Sequence, residues 1–348
     1  VVRRYTEQAQ PILAALEELA DDDRPVWEPL VLEGFSTLLP NLQESRDVTR
    51  LLVAEFWHAV HQHQPDRALR ALELIDGVGH AFDWQMCAIS DLIFFSHQSI
   101  QHELIRQSLE VGFWQDARHL ERLRQQLADG EDLDARWRQM IASEQAMTLS
   151  EFRVGRSNPE FTDPPLNLYP FGISPATTAN LVESMTKASA IGGAGTLAHV
   201  RRIEQEIDVV QRESSGTYTL NGIPFAYSDA PLGFLVQNYS SLSAAFVNQA
   251  MDRRWTITAV ALKQYRLAEG HLPQELRELT RFGLAPADWM AIGDQPFGYR
   301  VEDDPEEAIL WTVDPVELTA SDIQVSAEPP SEISDDPEQV RRMEVRIR

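Results

Sequence analysis

Apolar residues recur at three- and four-residue intervals through roughly the first 150 residues. Leu13, Leu16 and Leu19 show this spacing, which places apolar side chains on one face of an α-helix. Turn-forming and capping residues interrupt the pattern around positions 21–25, 39–41, 64–66 and 129–131. The pattern predicts a front half made of successive helices.

Three segments in this half, at 68–74, 100–109 and 117–127, have helical patterns. They read as successive helical hairpins, but they share no fixed period and no common signature. Stacked helical hairpins and an irregular helical bundle both fit this pattern.

A proline-rich stretch at 153–175 ends the first helical series. Asn158-Pro159, Asp163-Pro164-Pro165 and Tyr169-Pro170 all fall within it, and proline at such density is incompatible with a continuous helix. The stretch is also longer than an ordinary turn. We therefore expect a helical domain at 1–152, a crossing at 153–175, and a second unit at 176–316.

The second unit mixes helices with short strands. A helical stretch at 176–212 precedes a β-hairpin centred on Asn221-Gly222, the dipeptide preferred in two-residue hairpin turns. A long helix at 241–269 ends at Gly270, and ranges 295–301 and 308–313 are expected to pair as strands. The sequence thus predicts a mainly α fold with a small α+β C-terminal unit, followed by a loosely ordered acidic tail at 317–348.

Composition narrows the possible partners. The chain has 54 acidic and 30 basic residues and a formal charge of −24, which disfavours binding to nucleic acid or to anionic lipid. A single cysteine, Cys87, cannot form an internal disulfide or a multi-cysteine metal site. No stretch approaches the roughly 20 apolar residues that span a bilayer. We expect membrane attachment only through a segment outside this sequence, with a protein as partner.

Histidines cluster between positions 58 and 63. His58 and His61 are three residues apart, so they share one face of a predicted helix. With a third ligand such as Glu55 they would form a weak transition-metal site. The alternative is that they stabilise the C-terminal end of a helix through its dipole.

Signatures of enzymatic chemistry are weak. The glycine-rich run at 192–195 has neither dinucleotide-binding nor P-loop spacing and is flanked by helical patterns, which favours a close helix crossing. No nucleophile-elbow motif occurs. We therefore expect no catalytic residue and no cofactor.

Large aromatic residues concentrate between positions 82 and 114. Most should belong to the core, but any exposed part would form a binding surface for a partner protein. The candidates are Trp84, Phe94, Phe95, Phe113 and Trp114.

One segment, at 258–314, resembles a known family. Residues 261–273 read ALKQYRLAEGHLP, and they are followed by QPFGYR at 295–300 and ILWTVD at 309–314. This order is similar to the globular part of the type II secretion major pseudopilins, and as a whole the chain resembles large uncharacterised bacterial envelope proteins with a helical front half. The resemblance implies a long helix, a turn, a short helix and a small sheet. The calcium loop of the pseudopilins has no counterpart at 313–317.

Two functions remain open at this point. The favoured one is a non-enzymatic protein-interaction or scaffold module. The resemblance implies that this module is the extracytoplasmic part of a membrane-anchored envelope protein. Without a membrane anchor, it would be cytoplasmic. The alternative is a hydrolase with its site in the cleft between the two halves, near 158–169.

Overall fold

The computed structural model describes residues 8–21, 41–82, 87–128, 132–157, 175–214, 216–220, 223–227, 230–291, 296–302, 307–312 and 344–347. Within these ranges the protein is mainly α, with a two-stranded and a three-stranded antiparallel sheet, which confirms the predicted fold class. Within the same ranges, no helix combines the length and the apolar character needed to cross a membrane.

The front half consists of successive helices, as predicted. Their bounds are α1 (Gln10–Asp21), α2 (Asn41–His61), α3 (Pro65–His80), α4 (Ala88–Glu110), α5 (Ala117–Ala128) and α6 (Leu133–Ser157).

In the described part of the second half, the structure contains three α-helices, two 3₁₀ helices and five short strands. These are α7 (Pro175–Ala190), α8 (Leu197–Ser214), β1 (Gly216–Leu220), β2 (Ile223–Tyr227), α9 (Ala230–Glu269), two 3₁₀ helices (Leu276–Phe282 and Pro286–Trp289), β3 (Gly298–Val301), β4 (Ala308–Trp311) and β5 (Glu344–Ile347).

Helix α4 lies at the centre of the front half. It packs against α2, α3, α6 and α9, and its buried side chains are distributed around most of the helix. Because such a helix has little exposed surface, its polar residues must find partners inside the protein.

Helix α9 joins the two predicted halves. It packs against α4 and α5 from the front half and against α8 and both 3₁₀ helices from the second. A single hydrophobic core contains Leu72 and Leu104 together with Val260 and Leu310. The residues on the two sides of the predicted crossing therefore share one core.

Most of the predicted crossing at 153–175 lies outside the described residues. Its first positions, 153–157, belong to α6, which continues through Ser157. These positions precede Pro159, the first proline of the stretch. The predicted β-hairpin is confirmed, since β1 and β2 pair antiparallel with Leu220 opposite Ile223.

The C-terminal unit begins where α9 ends. Gly270 follows this helix with a φ of 76°, a conformation that glycine adopts without steric cost. Strands β3 and β4 pair antiparallel, as predicted.

The predicted loosely ordered tail at 317–348 needs correction at its end. Strand β5 pairs with β4, and Ile347 is fully buried in the main core. Val345 and Ile347 alternate with Glu344 and Arg346, which is the two-residue period of a strand. The polar composition of the tail as a whole concealed this short signal.

Candidate functional site

A buried polar cluster joins α4 to α9. The Asp252 carboxylate contacts His102 Nδ1 at 2.8 Å through one oxygen and accepts a hydrogen bond from Arg106 Nη1 at 2.5 Å through the other. Arg106 also donates to Thr256 Oγ1 at 2.7 Å, and its guanidinium lies 4.4 Å from the ring centroid of Trp255. His102 and Arg106 are buried.

The charges of this cluster compensate one another. Burial alone would raise the pKa of Asp252, but the charges of Arg106 and His102 outweigh it and hold that pKa below its usual value. Both carboxylate oxygens are engaged within the protein, so the His–Asp pair fastens two helices together.

A second buried ion pair joins α4 to α6. Arg136 Nε donates to Asp91 Oδ1 at 2.6 Å, and both side chains are almost fully buried. The Arg136 guanidinium also lies 3.8 Å from the ring centroid of Phe94. Like the first cluster, this pair fixes the position of α4 relative to its neighbour.

The N-terminus of α4 is capped by a residue from another helix. Glu144 on α6 accepts a hydrogen bond from the Ala88 backbone N–H at 2.8 Å. Burial raises the pKa of Glu144, and the Ala88 hydrogen bond opposes this effect. Cys87 precedes Ala88 and is buried, with Sγ 3.1 Å from Ser90 Oγ, as expected for an unreactive structural thiol.

The two histidines proposed as metal ligands lie in the last turn of α2. His61 is exposed and His58 is partly buried. Glu55, the proposed third ligand, forms an ion pair with Arg67 instead. Across the described ranges, His, Cys, Asp and Glu side chains form no group of three or more that could hold a metal ion.

The glycine-rich run connects α7 to α8 and packs tightly. Gly195 has a φ of +85°, and a Cβ at this position would lie 2.8 Å from Leu133 Cδ1 and 3.0 Å from Ala250 Cβ. The Ala194 N–H donates to Asp134 Oδ1 at 2.6 Å. The anion at this loop is therefore a carboxylate from α6, and the loop packs closely against Leu133 of α6 and Ala250 of α9.

The predicted aromatic binding residues lie mainly in the core. Phe94, Phe95 and Trp114 are buried, and Trp114 Nε1 donates to Ser108 Oγ at 2.7 Å. Phe113 is partly buried against the main core. Trp84 lies outside the described residues. The three buried aromatic residues cannot form an exposed patch, because each is needed to fill the space between helices.

An exposed apolar pair occurs in the same part of the chain. Ile89 and Leu92, in the first two turns of α4, are 54% and 45% exposed. Ser96 and Ser99 continue the exposed stripe. The sequence does not reveal this exposed pair, because aliphatic residues next to buried aromatic residues have the same pattern as residues of a hydrophobic core.

No family model, no curated protein and no solved structure matches this chain. The resemblance to pseudopilins and to bacterial envelope proteins therefore stays a prediction. The hydrolase also stays a prediction, because residues 158–169 lie outside the described ranges.

Proposed function

We propose that the protein is a non-enzymatic interaction module that binds a partner protein through the exposed stripe of α4. This surface, which we call the α4 face, consists of Ile89, Leu92, Ser96 and Ser99. These positions span about 15 Å along the helix at 1.5 Å per residue. The observation that carries the proposal is the exposure of two adjacent large aliphatic side chains on a strongly acidic protein.

The lack of charge on the α4 face supports this function. The protein carries a formal charge of −24, yet none of the four residues of this face is charged. The one acidic residue in this part of α4, Asp91, is buried against Arg136. Surfaces that bind proteins are depleted in charge at their centre, because desolvating an unpaired charge opposes association.

The rigidity of α4 also supports binding at this surface. Its N-terminus is capped by Glu144, its first turn is held by the Asp91–Arg136 ion pair, and its C-terminal part is held by the Arg106–Asp252 ion pair. A surface held in place before binding loses less conformational entropy when a partner docks.

Site-specific photo-cross-linking tests the proposal. A photoreactive amino acid replaces Ser96, and the protein is irradiated in an extract of its source organism. We expect one discrete cross-linked partner, whose yield falls at least about tenfold in the Ile89→Ser/Leu92→Ser variant, the equivalent of about 1.4 kcal/mol of binding free energy.

Ile12→Ser is the matched control. Ile12 is an isoleucine on α1 with the same 54% exposure as Ile89, so this variant matches the Ile89→Ser change at a position away from the α4 face. An equal loss of cross-linking in Ile12→Ser, or full retention in the double variant, would refute binding at the α4 face.

A further inference from the structure

Strand β5 is the last strand along the described part of the chain, and it pairs with β4. It forms one edge of the three-stranded sheet, in the order β3–β4–β5. Strands β3 and β4 pair with each other independently of it. Removing β5 would therefore leave the β3–β4 hairpin intact and expose one edge of β4, whose backbone N–H and C=O groups can pair with another strand.

The connection between β4 and β5 is much longer than their pairing requires. Trp311, the last residue of β4, lies directly opposite Glu344, the first residue of β5. Antiparallel neighbours with adjacent ends need a turn of only about two to five residues. This chain instead inserts all of residues 312–343. Strand β5 thus reaches the sheet through a long connection and not as the second arm of a local hairpin.

The segment that contains β5 has a charge opposite to that of the protein. Residues 341–348 contain four arginines and one glutamate, whereas the whole chain carries −24. The Arg346 backbone N–H lies 3.4 Å from Glu110 Oε1 on α4. A basic segment is therefore favoured at this edge by long-range attraction as well as by pairing.

The side chains at this edge also determine which residue a neighbouring strand can place opposite Ala308. Ile347 lies opposite Ala308, and both are fully buried. Residues that face each other across antiparallel strands project to the same side of the sheet. The small Ala308 side chain leaves room for a branched aliphatic residue on the neighbouring strand.

We propose that the edge of β4 now covered by β5 is a binding site for a basic, extended segment of another protein, which displaces β5 and pairs with β4 in its place. The ligand has an aliphatic residue at the position of Ile347 and arginine or lysine at the flanking positions. Main-chain hydrogen bonds hold the segment, and the apolar position selects it. In this arrangement β5 acts as a tethered competitor. The site is separate from the α4 face, so the two proposals fail independently.

Fluorescence anisotropy with a labelled peptide of residues 341–348 tests the site. The peptide is titrated onto the full chain and onto the full-length Ile347→Ser variant, whose own β5 pairs less well. We expect the variant to bind the peptide at least about tenfold more tightly than the unmodified chain. The affinity should fall as salt is raised, and a peptide with serine at position 347 should not bind.

A second variant separates displacement from general loss of stability. Leu13→Ser removes a buried aliphatic side chain from α1, far along the chain from the sheet, and we expect it to leave peptide affinity unchanged. Equal tightening in Leu13→Ser, binding of the serine peptide, or absence of binding to the Ile347→Ser chain would each overturn the proposal. Analytical sedimentation would overturn the proposal as well if it showed dimers of the protein that dissociate when the peptide is added. The natural occupant of the β4 edge would then be a second copy of this chain.

Discussion

His102 on α4 and Asp252 on α9 are 150 residues apart in the sequence and lie 2.8 Å apart in the fold. Arg106, one turn beyond His102, contacts the other oxygen of the same carboxylate. These contacts connect the central helix of the front half to the long helix of the second half. Their removal should therefore affect the stability of the whole protein.

Replacement of Arg106 should destabilise the protein strongly. Arg106→Met removes the cation that compensates the partly buried Asp252 carboxylate, and breaking such a pair typically costs about 3 kcal/mol. Urea unfolding followed by circular dichroism would measure this loss. Arg50→Met is the control, because the Arg50–Asp47 pair is well exposed and should contribute less than about 0.5 kcal/mol. Similar unfolding midpoints for the two variants would show that the buried cluster is not a major source of stability.

The buried carboxyl of Glu144 should make stability depend on pH. Because burial raises its pKa, the folded state holds this proton more tightly than the unfolded state does. The free energy of unfolding should therefore fall as pH rises from the unfolded pKa, about 4.3, through the raised folded value. Glu144→Gln keeps an oxygen acceptor for the Ala88 N–H and should lack this loss, so its advantage over the wild type grows with pH.

Urea unfolding between pH 4 and pH 8 would measure this difference. Glu183→Gln on α7 removes one negative charge from an exposed position and reports the effect of reducing the overall acidity. If Glu144→Gln gained no more than Glu183→Gln as pH rises, burial of the Glu144 carboxyl would have no measurable effect on stability.

Gly195→Ala should disrupt the packing of the α7–α8 loop against α6 and α9. The added Cβ would overlap Leu133 and press on Ala250, in a backbone conformation that already disfavours alanine. We expect a loss of roughly 3 kcal/mol, combining the conformational cost with overpacking. Thermal unfolding would show it as a lower Tm.

Gly270→Ala separates the two contributions. Gly270 also has a positive φ, but a Cβ there would meet nothing within 4 Å. This variant should lose only about 1–2 kcal/mol, the conformational cost alone. Equal losses of unfolding free energy at the two positions would mean that the residues around Gly195 move aside for the added Cβ without an energetic penalty.

The helical pattern, the β1–β2 hairpin and the end of the long helix α9 could be predicted because their signals are local. The three- and four-residue period, Asn221-Gly222 and Gly270 each report a conformation within a few neighbouring residues. Strand β5 was missed because four residues carry too little signal against a polar tail. Its position depends on pairing with β4, which the sequence does not encode locally.

The buried charges could not be predicted from their positions in the sequence. Asp91, Arg106 and Arg136 belong to residue types that usually lie on the surface, and each is buried here because a partner from a distant helix lies opposite it. Ile89 and Leu92 are the opposite case, because they belong to residue types that are usually buried and yet are exposed here. Their neighbours in sequence are buried, and only the packing of α4 determines which of its sides stays open.

The position of α9 in the chain has a consequence for synthesis in the cell. Helices α4 and α5 bury their apolar faces against a helix that begins at Ala230. During translation, residues 1–229 are synthesised before any of α9 exists. The front helices therefore emerge with their apolar surface uncovered, and they need protection from aggregation until the second half of the chain follows.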